Sequence, residues 1–224
     1  MMDIRKFKAA VFDFDGTIVD SMNLWTEIDI EYLARYGHGF SEDLQKHIEG
    51  MSTDEMAVYF RNTYGIPRTN EEMKRDWTEM SIEKYLYEVQ LKPGVLEFLQ
   101  LLKEYGIRTA IATSTEKDIL LPFLKKRNLT DYFDAFATTT EAGKGKPEPG
   151  VFLLAAERIR TDPKHCIAFE DLPLGILSAK NAGMFTVGVD DSYSRDRISE
   201  KIALSDHFIR DYRELYGVNG ERFC

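Results

Sequence analysis

The chain has 224 residues, of which 43% are hydrophobic, so it can bury a core as one large domain or two small ones. Its formal net charge of −9 argues against a general nucleic-acid or anionic-membrane surface. No apolar stretch is long enough to span a bilayer, and the short run before Asp13 is not a signal-peptide core. Because Cys166 and Cys224 do not form a disulfide pattern, we expect a reduced, cytoplasmic protein.

The first predicted element is the strand Ala9–Phe12, which leads directly into the motif DFDGT at residues 13–17. Residues two apart in a strand point to the same side, so the carboxylates of Asp13 and Asp15 can converge beyond the strand's end, while Gly16 lets the backbone turn. Two acids this close need a cation or a proton between them. One then serves as a nucleophile or metal ligand and the other as a proton shuttle. The alternatives are an Asp-rich turn and a calcium loop, which the spacing excludes.

Residues 21–89 contain helical patterns and no convincing strand. The predicted helices are Leu24–Tyr36, Glu42–Glu49, Thr53–Thr63 and Glu71–Tyr87. Parallel strands are normally joined by far shorter connections, so residues 20–89 are predicted to be an inserted helical domain. The α/β core then comprises residues 1–19 and 90–224. An insertion beside the carboxyl end of a strand is well placed to act as a lid.

After the insertion, β-branched and aromatic runs alternate with helical patterns, which predicts a parallel sheet in an α/β domain. The further strands are predicted at Arg108–Ala112, Ala135–Thr138, Cys166–Phe169, Thr186–Val189 and His207–Ile209. The core helices, which have apolar residues at three- and four-residue spacing, are predicted at Val95–Tyr105, Lys117–Lys126, Gly150–Arg158 and Leu174–Asn181. The loops that follow parallel strands share one edge of the sheet, where ligands bind.

Three later segments after predicted strands carry side chains suited to an anion and a metal. The hydroxyls of residues 113–115 and the amides of a helix N-terminus can bind an anion, although helix capping is an alternative. Lys146 can neutralise a phosphate or lie in a solvated basic loop. Glu170 and Asp171 offer hard oxygen donors for Mg²⁺; capping by Asp171 is the alternative, and it leaves Glu170 unexplained.

The ordered segments DFDGT, IATST, GKGKPEPGVF and FEDLPLGILSAKNAG, with a helical insertion after the first, span essentially the whole chain. In this order they resemble haloacid dehalogenase superfamily phosphatases with a helical cap, of the β-phosphoglucomutase-like branch. The resemblance implies a Rossmann-like parallel sheet and a Mg²⁺-dependent phosphatase. Its expected substrate is a small phosphorylated metabolite, such as a sugar phosphate, which is hydrolysed through an aspartyl-phosphate. We expect neither nucleic acid nor membrane as a partner, and the sequence does not indicate the oligomeric state.

By this resemblance, Asp13 is the nucleophile, and Asp15 protonates the leaving oxygen and then activates water. Thr113 and Lys146 bind the phosphate. The metal ligands implied are Asp13, Asp15 through its backbone carbonyl, Glu170 and Asp171. Further residues expected at the phosphate or the substrate are Phe14, Ser114, Asp20, Met22, Trp25 and Thr53. For Met22 and Trp25 the alternative is packing within the cap, and for Asp20 it is capping of the next helix.

A hexose-phosphate mutase is the alternative function, and a non-catalytic member that binds a phosphorylated ligand is a third. β-Phosphoglucomutases use a histidine on the first cap helix, and Trp25 stands at that place here. They also use a cap arginine to grip the distal phosphate, and Thr53 stands there. Both departures favour the phosphatase. The cap cations that can substitute for the arginine are Arg61, Arg68, Lys74 and Arg75.

Overall fold

The computed structural model describes residues 2–216, with only the backbone for Glu42, and its centre is a six-stranded parallel sheet. The strands, in chain order, are β1 (Ala9–Phe12), β2 (Val19–Asp20), β3 (Gln90–Leu91), β4 (Arg108–Thr113), β5 (Ala135–Thr138), β6 (Cys166–Glu170), β7 (Phe185–Val189) and β8 (His207–Ile209). The order in the sheet is β5-β4-β1-β6-β7-β8. Strand β1 is therefore central, and the loops after β4 and β6 flank the loop that it feeds.

The helices lie on both faces of this sheet and in the insertion. They are α1 (Met22–Arg35), α2 (Glu42–Ile48), α3 (Thr53–Tyr64), α4 (Asn70–Tyr87), α5 (Val95–Glu104), α6 (Lys117–Lys126), α7 (Thr139–Ala142), α8 (Gly150–Arg158), α9 (Pro173–Asn181) and α10 (Ile198–Leu204). All predicted strands and helices are present, with ends within two residues of the prediction. The predicted fold class is confirmed, whereas β2, β3, α7 and α10 were not predicted from the sequence.

Residues of β1 alternate between two apolar cores. Ala10 and Phe12 face one core, which includes Phe98 of α5, and the ring of Phe12 stacks on that of Phe169 at 4.7 Å between centroids. Ala9 and Val11 belong to a second apolar cluster, which also contains residues of α8 and α9. A strand that is covered on both faces has a continuous apolar sequence, which is why the run before Asp13 predicted it correctly.

Strands β2 and β3 form a separate antiparallel pair where the chain leaves and re-enters the core. Val19 pairs with Leu91, and Asp20 pairs with Gln90. Two-residue strands show no periodicity, so no sequence pattern indicated them. Helices α1–α4 lie between these strands in the chain, so the pair fixes both ends of the insertion.

The helices of the insertion have side-chain caps and a shared aromatic core. Ser52 and Thr69 begin α3 and α4, each with a glutamate three residues later that completes a capping box. The rings of Tyr32 and Phe60 lie 5.4 and 5.7 Å from that of Trp77, between centroids. These contacts join α1, α3 and α4 into one packed unit.

No helix among residues 2–216 is both long and apolar enough to cross a membrane. Cys166 is buried at the start of β6 and is a free thiol within the described part of the chain. Burial raises the pKa of this thiol to about 11. Cys224 lies outside the described residues, so the expectation that the two cysteines are not paired stays a prediction.

Candidate active site

The carboxyl ends of the central strands bring most of the predicted site residues to one cavity. The cavity has a volume of about 160 Å³ and lies between this edge of the sheet and helices α1–α3. The predicted residues that line it are Asp13, Asp15, Met22, Trp25, Thr53, Thr113, Ser114, Lys146 and Glu170. Its position suits a small molecule held between the core and the insertion.

Lys146 forms the positive centre of the site. Its Nζ atom lies 2.6 Å from Oδ1 of Asp13 and 2.5 Å from Oε1 of Glu170. The lysine side chain is 7% exposed, which excludes the solvated basic loop. Burial by itself lowers the pKa of Lys146, but the charges of Asp13 and Glu170 outweigh it and raise this pKa. The ammonium group is therefore charged at neutral pH.

Asp13, Glu170 and Asp171 form a buried cluster of carboxylates. One oxygen of each lies within 4.8 Å of the others. Oδ1 of Asp171 accepts a hydrogen bond from the Thr17 hydroxyl at 3.0 Å. Oδ2 of Asp171 is buried and has no hydrogen-bond partner among the residues that the structure describes. A buried carboxylate oxygen without a partner is costly unless a cation binds it.

The raised pKa values of two carboxyls in the cluster also indicate that it lacks positive charge. Burial raises the pKa of Asp13 to about 8, with Lys146 opposing the shift and Glu170 adding to it. Burial and the charge of Glu170 raise the pKa of Asp171 well above its ordinary value. Three buried carboxylates therefore face one ammonium group. Their oxygen donors fit Mg²⁺, which takes carboxylate and water ligands.

Two glycines allow the acids to approach the backbone this closely. Gly16 has a φ of +73°, and a Cβ atom there would lie 2.1 Å from Oδ2 of Asp171. A Cβ atom on Gly175 would lie 1.8 Å from Oε1 of Glu170. The turn expected at Gly16 is present, and the same glycine leaves the space that Asp171 occupies.

Asp15 is held by four side-chain donors. Oδ1 accepts hydrogen bonds from the Ser21 hydroxyl at 2.5 Å, from Nε1 of Trp25 at 3.2 Å and from the Tyr85 hydroxyl. Oδ2 accepts from the Thr115 hydroxyl. Burial and the charge of Asp15 raise the pKa of Tyr85, so its phenol stays a donor. Because Ser21 and Trp25 belong to the start of the insertion and Tyr85 to α4, the insertion itself fixes this carboxylate.

The capping alternatives do not hold for the residues after β4 and β6. Helix α6 has Glu116 as its N-cap residue and α9 has Leu172, so Ser114, Thr115 and Asp171 are not N-caps. The Thr113 hydroxyl is buried and accepts a hydrogen bond from the Thr115 amide at 3.0 Å. These side chains therefore remain available to the cavity or to their neighbours in the site.

Some of the residues expected to face the substrate line the cavity, and others do not. Met22, Trp25 and Thr53 line the cavity. The Thr53 hydroxyl also bonds to Glu116 and, at 3.0 Å, to Thr140 of the core. The described lining does not include Phe14, which is buried among aromatic rings, or Asp20, which is exposed in β2. Asp20 does not cap α1 either, because Ser21 is the N-cap residue.

Several cavity residues were missed by the sequence analysis. Asp29, Gln45 and Tyr193 line the cavity. The stretch 192–197 carries no motif, although it supplies Tyr193. Asp29 had one usable signal, since it follows Trp25 by four residues and therefore shares its face of α1. The positions of Gln45 and Tyr193 depend on packing between segments far apart in the chain.

Positive charge is scarce in the cavity. Within the described part of the chain, Lys146 is the one lysine or arginine among the lining residues. Arg68 pairs with Asp76 at 2.8 Å, and Lys74 pairs with Asp54 at 2.6 Å. The cap cations that do not line the cavity are Arg61, Arg68, Lys74 and Arg75.

A central parallel strand that ends in paired aspartates, next to a helical insertion, places the chain among α/β proteins with an inserted helical cap. Residues 10–189 match the family described as haloacid dehalogenase-like hydrolase. The chain belongs to this family. The predicted resemblance and the predicted enzyme class, a phosphoric monoester hydrolase, are confirmed.

Individual relatives and structures agree with this assignment. A phosphorylated carbohydrates phosphatase of Thermotoga maritima is 32% identical over 79% of this chain and 82% of its own length. A β-phosphoglucomutase of Bacillus subtilis is 32% identical over 81% and 83%. The crystal structure of CbbY from Rhodobacter sphaeroides in complex with phosphate has a TM-score of 0.83. It is 24% identical over 96% of this chain and 98% of its own, and the likeness is one of fold.

Proposed function

We propose that the chain is a Mg²⁺-dependent phosphatase that hydrolyses a small phosphorylated metabolite through an aspartyl-phosphate, with a sugar phosphate as the favoured substrate class. The observation that carries the proposal is the convergence of Asp13, Asp15, Thr113 and Lys146 on one cavity. The name of the Thermotoga maritima relative supports the same substrate class.

In the first half-reaction, a carboxylate oxygen of Asp13 forms a bond to phosphorus while the ester P–O bond breaks. Asp15 in its acid form gives its proton to the departing oxygen, so a neutral alcohol leaves. The Thr113 hydroxyl and the Lys146 ammonium group hold the phosphoryl oxygens and offset their charge. The product of this step is phospho-Asp13.

In the second half-reaction, a water oxygen bonds to phosphorus as the Asp15 carboxylate accepts a proton from that water. The bond between phosphorus and Asp13 breaks, and inorganic phosphate leaves. Both aspartates return to their starting forms. Asp13, Glu170, Asp171 and the Asp15 carbonyl would hold a Mg²⁺ ion, which would supply positive charge against the repulsion between nucleophile and phosphate.

The mutase alternative is disfavoured by the charge of the cavity, although a β-phosphoglucomutase is among the relatives. A mutase must bind a second phosphate group beside the insertion. The described lining offers Lys146 as its cation, and Lys146 is already engaged by Asp13 and Glu170. A bisphosphorylated intermediate would therefore meet no further cation. Cytoplasmic location and the lack of nucleic-acid or membrane partners stay predictions.

The test is phosphate release with Mg²⁺ from a panel of phosphorylated metabolites, with Asp13→Asn in parallel. Asp131→Asn is the matched control, since this aspartate is exposed and does not line the cavity. We expect release from several sugar phosphates, lost in Asp13→Asn and kept in the control. Bisphosphate-primed isomerisation without net release would identify a mutase instead. Ligand binding that persists in Asp13→Asn, without turnover by the parent protein, would identify a binding member.

A further inference from the structure

Asp29 is a buried acid of the cavity to which the proposed chemistry gives no task. It lies in α1 and lines the cavity, and it is 7% exposed. Its Oδ1 atom is buried and lacks a hydrogen-bond partner in residues 2–216. Burial raises the pKa of this carboxyl to about 7. A buried carboxyl without partners destabilises a fold, so its presence beside a cavity points to a ligand that supplies the donor.

Other polar side chains line the same cavity as Asp29. Nε2 of Gln45 donates to the Thr26 hydroxyl at 3.1 Å, and both side chains line the cavity. Tyr193 lines it as well, and its amide donates to Oδ1 of Asp191 at 2.9 Å. Lys92 fixes Asp191 through an ion pair of 2.6 Å. The surroundings thus offer amide and hydroxyl groups that can exchange hydrogen bonds with a hydroxylated ligand.

The charge at the same part of the cavity opposes an anion. Asp29 and Glu49 are both lining residues. Glu49 is paired with Arg197 at 2.6 Å, but Arg197 does not itself line the cavity in the part of the chain described. Above pH 7, where Asp29 is ionised, a second phosphate or a carboxylate on the ligand would therefore face an unpaired negative charge. An uncharged group with hydroxyl donors is not repelled and can donate a hydrogen bond to Asp29.

We propose that Asp29 is a specificity-determining residue that accepts a hydrogen bond from a hydroxyl of an uncharged, polyhydroxylated leaving group, and that it disfavours substrates with a second anionic group. This inference deepens the proposed phosphatase and rests on it. Removing the Asp29 carboxyl should weaken the reaction only of ligands with a hydroxyl group, because a ligand without hydroxyls makes no hydrogen bond to Asp29.

The first experiment compares two phosphate monoesters of equal chain length, glucitol 6-phosphate and n-hexyl phosphate. In Asp29→Leu we expect kcat/KM for glucitol 6-phosphate to fall about tenfold or more, while the value for n-hexyl phosphate changes less than about twofold. Asp29→Asn keeps a neutral acceptor and should recover part of the loss. Glu31→Gln, on an exposed part of the same helix, should change neither value.

A second comparison tests the exclusion of anions. Fructose 1,6-bisphosphate should have a kcat/KM at least about tenfold below that of fructose 6-phosphate. Equal values would overturn this half of the inference. The proposed hydrogen bond to Asp29 has its own test. If kcat/KM falls equally for both esters in Asp29→Leu, the residue has only a structural role. If kcat/KM falls for neither ester, Asp29 makes no contact with the substrate, and either result would overturn the proposed hydrogen bond.

A binding measurement separates this inference from the proposed function. In the Asp13→Asn background, the dissociation constant of glucitol 6-phosphate should rise about tenfold when Asp29→Leu is added. This result without turnover by the parent protein would refute the phosphatase and retain the Asp29 contact. If the parent protein turns over substrate but the dissociation constant does not change when Asp29→Leu is added, the phosphatase is retained and the Asp29 contact is refuted. The thermal unfolding midpoint of Asp29→Leu should rise, because the variant removes a buried carboxyl without partners. This measurement also checks that the variant folds.

Discussion

Arg197 of the core donates from Nη1 to Oε1 of Glu49 in the insertion, across 2.6 Å. The Glu49 side chain is buried, and its pKa is raised by burial although Arg197 opposes the shift. The pair is one of several contacts that hold the insertion on the core. The Lys146 amide donates to the Gly50 carbonyl at 2.7 Å, so the chain segment after Glu49 is bonded directly to the backbone of Lys146.

Removing the arginine should loosen this attachment. Arg197→Ala leaves Glu49 buried without its partner, which costs about 2 kcal/mol of stability. We expect a higher KM as well, because the insertion forms one wall of the cavity. Urea unfolding and steady-state kinetics measure the two effects. Arg195→Ala is the control, since this side chain is 70% exposed and lies 3.9 Å from its acidic partner. Equal effects of the two variants would contradict the role given to Arg197.

A side chain at Gly16 should disrupt the buried cluster of carboxylates. In Gly16→Ala the new Cβ atom meets Oδ2 of Asp171, and the positive φ is unfavourable for alanine. We expect a loss of stability of about 2 kcal/mol or more and a strong loss of phosphate release. Gly39→Ala is the matched control, because nothing lies within 4 Å of its Cβ position. A Gly16→Ala protein as stable and active as this control would refute the packing argument.

Mg²⁺ should stabilise the fold through the acid cluster, independently of turnover. Titration of Mg²⁺ into chelator-treated protein is expected to raise the unfolding midpoint, with a rise that grows with the concentration of the ion. Asp171→Asn should abolish most of this rise, because it removes a buried oxygen donor. Asp118→Asn, at an exposed position of α6, should leave the response intact. The absence of any Mg²⁺ effect on the parent protein would count against the metal site.

The stability of the protein should fall as pH rises from about 4 to 7 because of Asp29. Its carboxyl has an ordinary pKa of 3.8 and a folded pKa of about 7. Between these values the folded state keeps a proton that the unfolded state loses, so each pH unit costs about 1.4 kcal/mol. Below this window both states are protonated, and above it the loss is constant.

Asp29→Asn removes that dependence. The variant should gain stability relative to the parent protein at pH 8, and much less at pH 4.5, when urea unfolding is compared at the two values. Glu31→Gln serves as the control for a solvent-exposed acid of the same helix. A difference between Asp29→Asn and the parent protein that does not change with pH would show that Asp29 titrates normally.

The six strands of the parallel sheet, most of the helices and the acids and lysine at the edge of that sheet could be predicted from the sequence. Apolar runs covered on both faces and three- to four-residue periodicity are local signals, so β1 and the helices could be located from them. Parallel strands place their following loops on one edge, and this brought Asp13, Lys146 and Glu170 together in the prediction as in the structure.

The contribution of the insertion to the site depends on tertiary packing, which no local sequence pattern indicates. Tyr85 reaches Asp15 across 70 positions of the chain, and Arg197 reaches Glu49 across 148. Asp29 and Tyr193 line one cavity although they belong to different parts of the fold. Such contacts depend on how one packed unit docks on another, and docking leaves no periodic signal in either segment. The residues proposed for catalysis are therefore readable from motifs, whereas the groups contributed by the insertion and by residue 193 became visible only in the assembled fold.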